Sequence, residues 1–332
     1  MGKLLTLSVL GSVAFNLSVV SKVNAVEMDC ANLNQLQSPA TALQWFERGL
    51  LAGHCYRFDA LAVRFGPGGF KTLDIDHEVS SEGEHERIRF LDGPPVQLER
   101  KGHILSNWQS RQSSSSTGSS ASLSPVDLQE HYRFDIAGSG RVADREVAVL
   151  NVIPLDGMRY SHQFWLDKST GLPLKQLLVD ESGRILEAFQ VAQLNTLELY
   201  DGVLRISDSK DAFSDPAGWQ PAWLPDGYRR VPVDSDVDIN GIPMERRLYS
   251  DGLSSLSMFA GSLNDEHALR EGLHGLGVFQ AAVRHVEHDG QTYQVVVVGE
   301  VPTAVLSKVI SNLQWFDVAS ASGGRATRDT QN

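Results

Sequence analysis

The spacing of hydrophobic residues changes near residue 53. Between Pro39 and Leu51 apolar residues recur every three or four positions, which predicts one amphipathic helix, with Ser38 as its N-cap and Gly53 at its end. Beyond it, apolar and polar residues alternate in short runs that predict strands. The nine runs before residue 200 are His54–Phe65, Phe70–Val79, Arg87–Leu91, Val96–Trp108, His131–Ile136, Val142–Ile153, Tyr160–Leu166, Leu174–Val179 and Ile185–Leu194.

One helix beside nine strands predicts an α+β fold for residues 26–200. Asp-Gly, Ser-Gly and Gly-Pro pairs separate the runs and indicate tight turns, so we expect an antiparallel meander. Such a sheet, with a helix laid against it, is strongly curved and forms an unclosed half-barrel. The Ser-rich stretch Ser113–Ser124 has almost nothing to bury and predicts a loop.

A shift to acidic residues, Ser, Pro and Gly at residues 201–218 predicts a linker to a second, smaller α+β domain at residues 219–316. Its predicted strands are Met244–Tyr249, Leu253–Ala260 and Tyr293–Val298. A helical stripe within Pro302–Phe316 follows them. The small, polar residues 317–332 predict a fraying tail.

Residues 1–25 have the pattern of a cleavable signal peptide. Lys3 precedes the apolar run Leu4–Val20, and Val23-Asn-Ala25 ends the segment with small residues. An uncleaved anchor is the alternative, for which the run is short. Export to an oxidising compartment predicts a disulfide between Cys30 and Cys55, the only cysteines, which would restrict the unfolded chain by about 3 to 4 kcal/mol.

The charge balance narrows the classes of partner. The chain carries 41 acidic and 29 basic residues, a formal net charge of −12. Binding to nucleic-acid phosphates, or to anionic membranes by charge alone, requires clustered Lys and Arg. We therefore expect no nucleic-acid partner, and we expect any lipid contact to be apolar.

The motifs that carry common chemistry are weak or absent. Gly138–Ala143 matches a dinucleotide-binding pattern by letter, but a strand follows it, so we interpret it as a hairpin turn. His285 and His288 would point to opposite faces of a strand. The acidic pairs and triplets, which could do acid/base or calcium chemistry, are more typical of solvated edges: Asp74 and Asp76, Glu82 to Glu86, and Asp234 to Asp238. We expect no enzymatic activity, no cofactor and no metal.

Large aromatic residues occur on nearly every predicted strand of the first domain. On the concave face of a curved sheet they either pack under the helix as a core or leave a pocket for an acyl chain or an apolar peptide. The sequence alone favours the core. The candidate lipid-cavity residues are Phe58, Phe65, Phe90, Phe134, Phe164, Trp165 and Phe189.

Five strings stand in a fixed order along residues 35–316. They are LDGPPVQLER at 91–100, GRVADR at 140–145 with NVIPLDGMRY at 151–160, WLDKSTGLPL at 165–174, WQPAWLPDGY at 219–228 and RLYSDGL at 247–253. Together they resemble the MucB/RseB family, which consists of periplasmic regulators of the envelope-stress sigma factor in Gram-negative bacteria.

The resemblance implies a first domain similar to the lipoprotein carriers LolA and LolB, with an apolar cavity, and a C-terminal domain that helps to hold a membrane anti-sigma factor of the MucA/RseA type. It implies that binding shields the anti-sigma factor from regulated proteolysis and that lipid or lipopolysaccharide releases it. We expect the partner at the cleft between the domains and on the Met244–Leu253 hairpin, with Arg246, Arg247 and Tyr249 as anchors. A homodimer is a further possibility.

Two other functions stay open. A periplasmic lipid or lipoprotein carrier of the LolA type would use the same curved sheet. An unrecognised hydrolase would use an aspartate pair such as Asp74 and Asp76.

Overall fold

The computed structural model describes residues 25–316 except 67, 82, 102–127, 208–217, 232, 234–235, 240–241, 264–267 and 277–278. The Ser-rich stretch, residues 317–332 and nearly all of the predicted signal peptide lie outside the described residues. Within the described ranges, no helix is long and apolar enough to cross a membrane.

Helix α1 spans Ala42–Cys55, three residues later than the sequence predicts. Its start is set by Thr41, whose side chain accepts a hydrogen bond from the Gln44 amide while the Gln44 side chain accepts one from the Thr41 amide. This reciprocal pair satisfies two free amides at once, which Ser38 and Pro39 do not. Gly53 does not end the helix, because the chain continues helically to Cys55.

The first domain contains one nine-stranded antiparallel sheet, in the order β5-β4-β3-β2-β10-β9-β8-β7-β6. Two runs of neighbouring strands meet where β2 pairs with β10, and the sheet ends at β5 and β6. This confirms the predicted unclosed sheet. Its strands are β2 (Tyr56–Gly66), β3 (Gly69–Ser80), β4 (Gly83–Phe90), β5 (Val96–Lys101), β6 (Tyr132–Val142), β7 (Arg145–Pro154), β8 (Ser161–Asp167), β9 (Pro173–Val179) and β10 (Ile185–Leu199).

A two-stranded ribbon holds the start of the described chain. Strand β1 (Ala25–Asp29) pairs with β11 (Val203–Ser207), which lies inside the predicted linker. The predicted Cys30–Cys55 disulfide is present. It fastens this ribbon to the end of α1, because Cys55 is the last residue of the helix and not part of the first strand as the sequence predicts.

The second domain contains a sheet in the order β13-β15-β16-β19-β18-β17, with β14 also paired to β15. Helix α2 (Thr303–Ser311) packs on β18 and β19, and β12 and β20 pair the beginning and end of the domain. The strands are β12 (Trp219–Pro221), β13 (Arg229–Val231), β14 (Asp236–Ile239), β15 (Ile242–Ser250), β16 (Ser255–Ser262), β17 (Gly272–Leu276), β18 (Phe279–His288), β19 (Gln291–Gly299) and β20 (Leu313–Trp315).

Two turns confirm the interpretation of the weak motifs. The stretch Gly138–Ala143 belongs to the β6–β7 hairpin, whose turn residues Ala143 and Asp144 have positive φ. His285 and His288 lie on β18, which ends at the Asp289–Gly290 turn. Gly138–Ala143 therefore lacks the strand-to-helix geometry that holds a dinucleotide.

Candidate functional site at the domain boundary

Where the two domains meet, each packs an apolar side chain against a cluster of the other. Leu253, in the turn between β15 and β16, packs into a cluster of the first domain built on α1 and strands β6, β7 and β8. Met158, in the β7–β8 loop, packs in turn against the core of the second domain. We call the cluster around Leu253 the boundary cluster: Ala42, Phe46, Leu128, Tyr132, Leu150, Val152, Phe164, Leu166 and Leu253, with Trp45, Leu50 and Phe134 at its margin.

A buried ion pair lies beside this exchange. Arg159 of the first domain donates from Nε to the Asp251 carboxylate of the second at 2.6 Å, and both side chains are fully buried. Arg159 also donates to Asp156 and to the Asp226 carbonyl. Asp251 holds its own turn by accepting hydrogen bonds from the amides of Leu253 and Ser254 at 2.9 and 2.8 Å. A buried charge is tolerated when it is paired and hydrogen-bonded in this way.

Two tyrosines, one from each domain, complete the network. Tyr132 donates to Asp251 at 2.8 Å, and Tyr228 bonds the Ser254 hydroxyl. The Arg159 guanidinium lies 5.6 Å from the Tyr132 ring and 5.3 Å from the Tyr228 ring. Burial, followed by the charge of Asp251, raises the pKa of both tyrosines well above the ordinary value, so both keep their protons.

Gly227 permits a close approach between the domains. Its φ is +85°, and a Cβ placed there would lie 2.3 Å from Nε2 of the His131 ring. Glycine therefore satisfies both the backbone conformation and the packing of His131 at this point.

A second set of ionisable side chains, from both domains, meets at the boundary. Arg64 and Glu187, at the ends of β2 and β10, form a two-pronged ion pair at 2.7 and 2.8 Å. Glu300, which follows β19 in the second domain, lies within electrostatic reach of both. Burial, with a smaller contribution from Glu187, raises the pKa of Glu300 to about 8. Its Oε1 has no hydrogen-bond partner among the described residues.

The inner face of the sheet also carries His162 on β8 and Gln176 on β9, both buried. The Gln176 amide lies 3.3 Å from Nδ1 of His162. Within the part of the chain that the structure describes, His162 Nε2 and Gln176 Oε1 have no partner. Burial lowers the pKa of His162 to about 4, so the ring is neutral at neutral pH.

The opposite end of the same inner face holds a different polar set. His54 bonds Glu84, His77 lies 3.8 Å from the other oxygen of Glu84, and Nδ1 of His77 lies 2.9 Å from the Tyr56 carbonyl. Phe58 stacks on His77 at 4.9 Å. Each of the three ionisable side chains is thus paired.

Five of the predicted lipid-cavity residues share the inner face and two do not. Phe46 of α1 lies 5.2 and 5.8 Å from the rings of Phe134 and Phe164, so the helix covers these aromatics. The prediction of an inward position is wrong for Phe65 and Trp165, because each follows an inward residue on its strand. The five inward residues are Phe58, Phe90, Phe134, Phe164 and Phe189.

The predicted partner anchors lie on β15, and two of them are interior. Arg247 is 1% exposed, with its guanidinium 4.3 Å from the Trp219 ring and its Nε bonded to Glu245. Tyr249 belongs to the core of the second domain. The prediction that Arg247 and Tyr249 are surface anchors is wrong, because both are buried. Arg246 is half-buried, and its role as an anchor stays a prediction.

The acidic runs also differ from the sequence interpretation. Glu84 and Glu86 are buried, so the expectation of a solvated edge is wrong there. Asp74 and Asp76 form cross-strand ion pairs with Arg89 and Arg87. Among the described residues, no group of three His, Cys, Asp or Glu is arranged to hold a metal ion.

The two family models that match the chain are the MucB/RseB N-terminal domain, over residues 41–213, and the MucB/RseB C-terminal domain, over residues 214–314. The sigma factor AlgU regulatory protein MucB of Pseudomonas aeruginosa is 30% identical over 83% of this chain and 91% of its own length. The sigma-E factor regulatory protein RseB of Escherichia coli K12 is 25% identical over 80% of this chain and 88% of its own.

A solved structure gives the same result. The MucB chain in the complex of Pseudomonas aeruginosa MucA and MucB matches with a TM-score of 0.64 and 27% identity, over 83% of this chain and 99% of that one. The match covers both domains and therefore includes the boundary between them. The chain belongs to the MucB/RseB family.

Proposed function

We propose that this protein is a periplasmic, non-enzymatic regulator that binds the periplasmic segment of a membrane anti-sigma factor of the MucA/RseA type. Binding shields that segment from regulated proteolysis and so restrains an envelope-stress sigma factor. The observation that carries the proposal is the full-length match to a MucB chain solved in complex with MucA, together with relatives named as sigma factor regulatory proteins.

The domain boundary supports a regulator with more than one arrangement. Beside the apolar contacts of Leu253 and Met158, charged side chains from both domains meet there, and water can solvate these groups if the domains part. Domains that meet through such an interface separate more readily than domains joined by a large apolar one.

We propose further that an amphiphile such as lipopolysaccharide enters the half-barrel and weakens partner binding. Support comes from the aromatic inner face under α1 and from the side chain of Leu253, which is contributed to that face by the other domain. Release requires that lipid and partner favour different arrangements, because a ligand with equal affinity for both shifts neither.

The test is titration calorimetry of the mature protein against the periplasmic segment of the organism's own anti-sigma factor, with and without lipopolysaccharide. Tight binding that weakens with lipopolysaccharide supports both parts of the proposal. Binding indifferent to lipopolysaccharide removes the release step. No binding by folded protein in either condition contradicts the regulator.

Arg246 is tested in the same titration. Arg246→Ala should weaken partner binding, whereas Arg229→Ala, an exposed arginine on the neighbouring strand β13, serves as the matched control. Sedimentation of the same samples measures whether the protein forms the predicted homodimer.

A lipid or lipoprotein carrier is the second candidate, favoured by the unclosed sheet with a helix against its inner face. A carrier hands labelled lipid from donor to acceptor vesicles without the anti-sigma segment. Transfer by the mature protein, combined with no binding to that segment, would replace the regulator with the carrier.

A further inference from the structure

The buried pair His162 and Gln176 is incomplete in hydrogen-bonding terms. One bond joins them through His162 Nδ1, which leaves His162 Nε2 and Gln176 Oε1 without partners among the described residues. A buried polar atom without a partner costs free energy, so such atoms commonly mark a place that another polar group occupies. Two such atoms, on residues that are bonded to each other, are a candidate place for one ligand group.

The pair offers one donor and one acceptor. When Nδ1 of His162 accepts from the Gln176 amide, Nε2 carries the ring proton and Oε1 remains an acceptor. When Nδ1 carries the proton and the amide is turned round, Nε2 accepts and the amide NH₂ donates. In both cases the complement is a group that donates and accepts together, such as a hydroxyl.

The surroundings select against a negatively charged group. Glu187 lies on the same inner face, on β10, Asp251 reaches His162 electrostatically, and the ring of His162 is neutral. A neutral ligand group avoids the cost of an additional buried anion.

An apolar site adjoins the pair. His162 stacks on Phe164, with ring centroids 5.9 Å apart, and Phe164 belongs to the boundary cluster. Among the described residues, Leu253 is the one member of that cluster from the second domain. It is a short hydrocarbon side chain held by a turn, in the same cluster as Phe46 and Phe164.

We propose that His162, Gln176 and the boundary cluster form a site for the neutral, hydroxyl-bearing part of an amphiphile, whose hydroxyl bonds the imidazole and amide and whose chain takes the place of Leu253. The proposal rests on the lipid-binding part of the proposed function and adds the ligand class and an internal competitor. Because chain and Leu253 exclude each other, ligand entry parts the domains at this point.

The experiment compares two ligands with the same chain: 1-monolauroylglycerol, which carries hydroxyls, and methyl laurate, which carries none. Both are titrated into the full-length mature protein, below their aggregation concentrations, and followed by tryptophan fluorescence. Wild type should bind the glyceride about fivefold more tightly, because one extra hydrogen bond to a buried group contributes that factor.

Three variants sharpen the comparison. The double variant His162→Phe and Gln176→Leu should lose the preference while still binding both ligands, whereas Gln193→Leu, on the exposed side of β10, keeps it. Leu253→Ala should lower the dissociation constant of both ligands about tenfold. The smaller side chain competes less with the ligand chain, so a larger fraction of the protein is competent to bind. Near-ultraviolet circular dichroism confirms that each variant is folded.

The outcomes separate the two proposals. Equal affinities in wild type, or a preference that survives in the double variant, overturn the site and leave lipid binding in place. Unchanged affinity in Leu253→Ala overturns the internal competitor. If wild type binds neither ligand, this inference fails, and the lipopolysaccharide titration alone decides the lipid-binding part of the proposed function.

Discussion

The inner face of the half-barrel carries buried polar groups at both of its ends, and the two sets differ in completeness. At the far end His54, Glu84 and His77 satisfy one another. At the domain boundary His162 and Gln176 keep partnerless atoms within the described structure. A completed set holds a fold together, whereas an incomplete one is suited to a second partner or a second arrangement.

Removing the charge of Asp251 should have the largest effect, because it leaves Arg159 buried without its carboxylate. Asp251→Asn is expected to lower the free energy of unfolding by about 3 to 5 kcal/mol, measured by urea denaturation. The matched control is Asp144→Asn, whose ion pair with Arg141 lies at the surface and should contribute almost nothing. Equal effects in the two variants would show that the boundary pair is not special.

Truncating Leu253 tests the apolar part of the boundary. Leu253→Ala should cost about 2 to 4 kcal/mol in the same assay, because it empties part of a packed cluster. Leu273→Ala, at a residue 51% exposed, is the control and should leave stability unchanged. A small cost at Leu253 would mean that the boundary cluster collapses around the gap.

Replacing one histidine at each end breaks the comparison directly. His77→Phe removes one of the two histidines that face Glu84 and takes a hydrogen bond from the Tyr56 carbonyl, and should cost about 1 to 3 kcal/mol. The double variant His162→Phe and Gln176→Leu removes the partnerless atoms together with the bond between the two residues, and should be close to neutral or raise Tm. Similar losses in both variants, measured by differential scanning calorimetry, would refute the distinction between the ends.

The pH dependence of stability sharpens the same contrast. The pKa of Glu300 is about 8 in the folded protein against 4.5 ordinarily, so its stabilising proton is retained at low pH and lost as pH rises towards 8. The lowered pKa of His162 acts in the opposite direction, but only between about 4 and 6.5. From pH 6.5 to 8 stability should therefore fall, by at most about 1.4 kcal/mol per pH unit.

Glu300→Gln isolates this contribution. The glutamine does not titrate, so the slope between pH 6.5 and 8 should flatten, as measured by urea denaturation at each pH. A slope that persists in the variant would assign the dependence to another group.

Much of the fold follows from local pattern. The nine strands of the first sheet alternate visibly in sequence, and the disulfide follows from export and the two cysteines. The site does not follow in this way. Arg159 and Asp251 stand 92 positions apart, and only the fold brings them together. Each lies within a string that carries the family resemblance, which was the available signal.

The wrong predictions of exposure have a common cause. Glu84 and Glu86 alternate as exposed strand residues do, yet their face turns inward against α1 and β3. Arg247 has the composition of a surface anchor, but Trp219, from another strand, covers it. Period two identifies which residues share a face, and it does not identify which face is buried.

The exchange of Leu253 and Met158 has a mechanical consequence. Each domain inserts one side chain into an apolar cluster of the other. Two such contacts resist sliding and rotation of one domain on the other, since both side chains would have to leave their clusters at once. A ligand that takes the place of Leu253 therefore leaves the domains joined by Met158 and by the Arg159–Asp251 ion pair, about which they can turn.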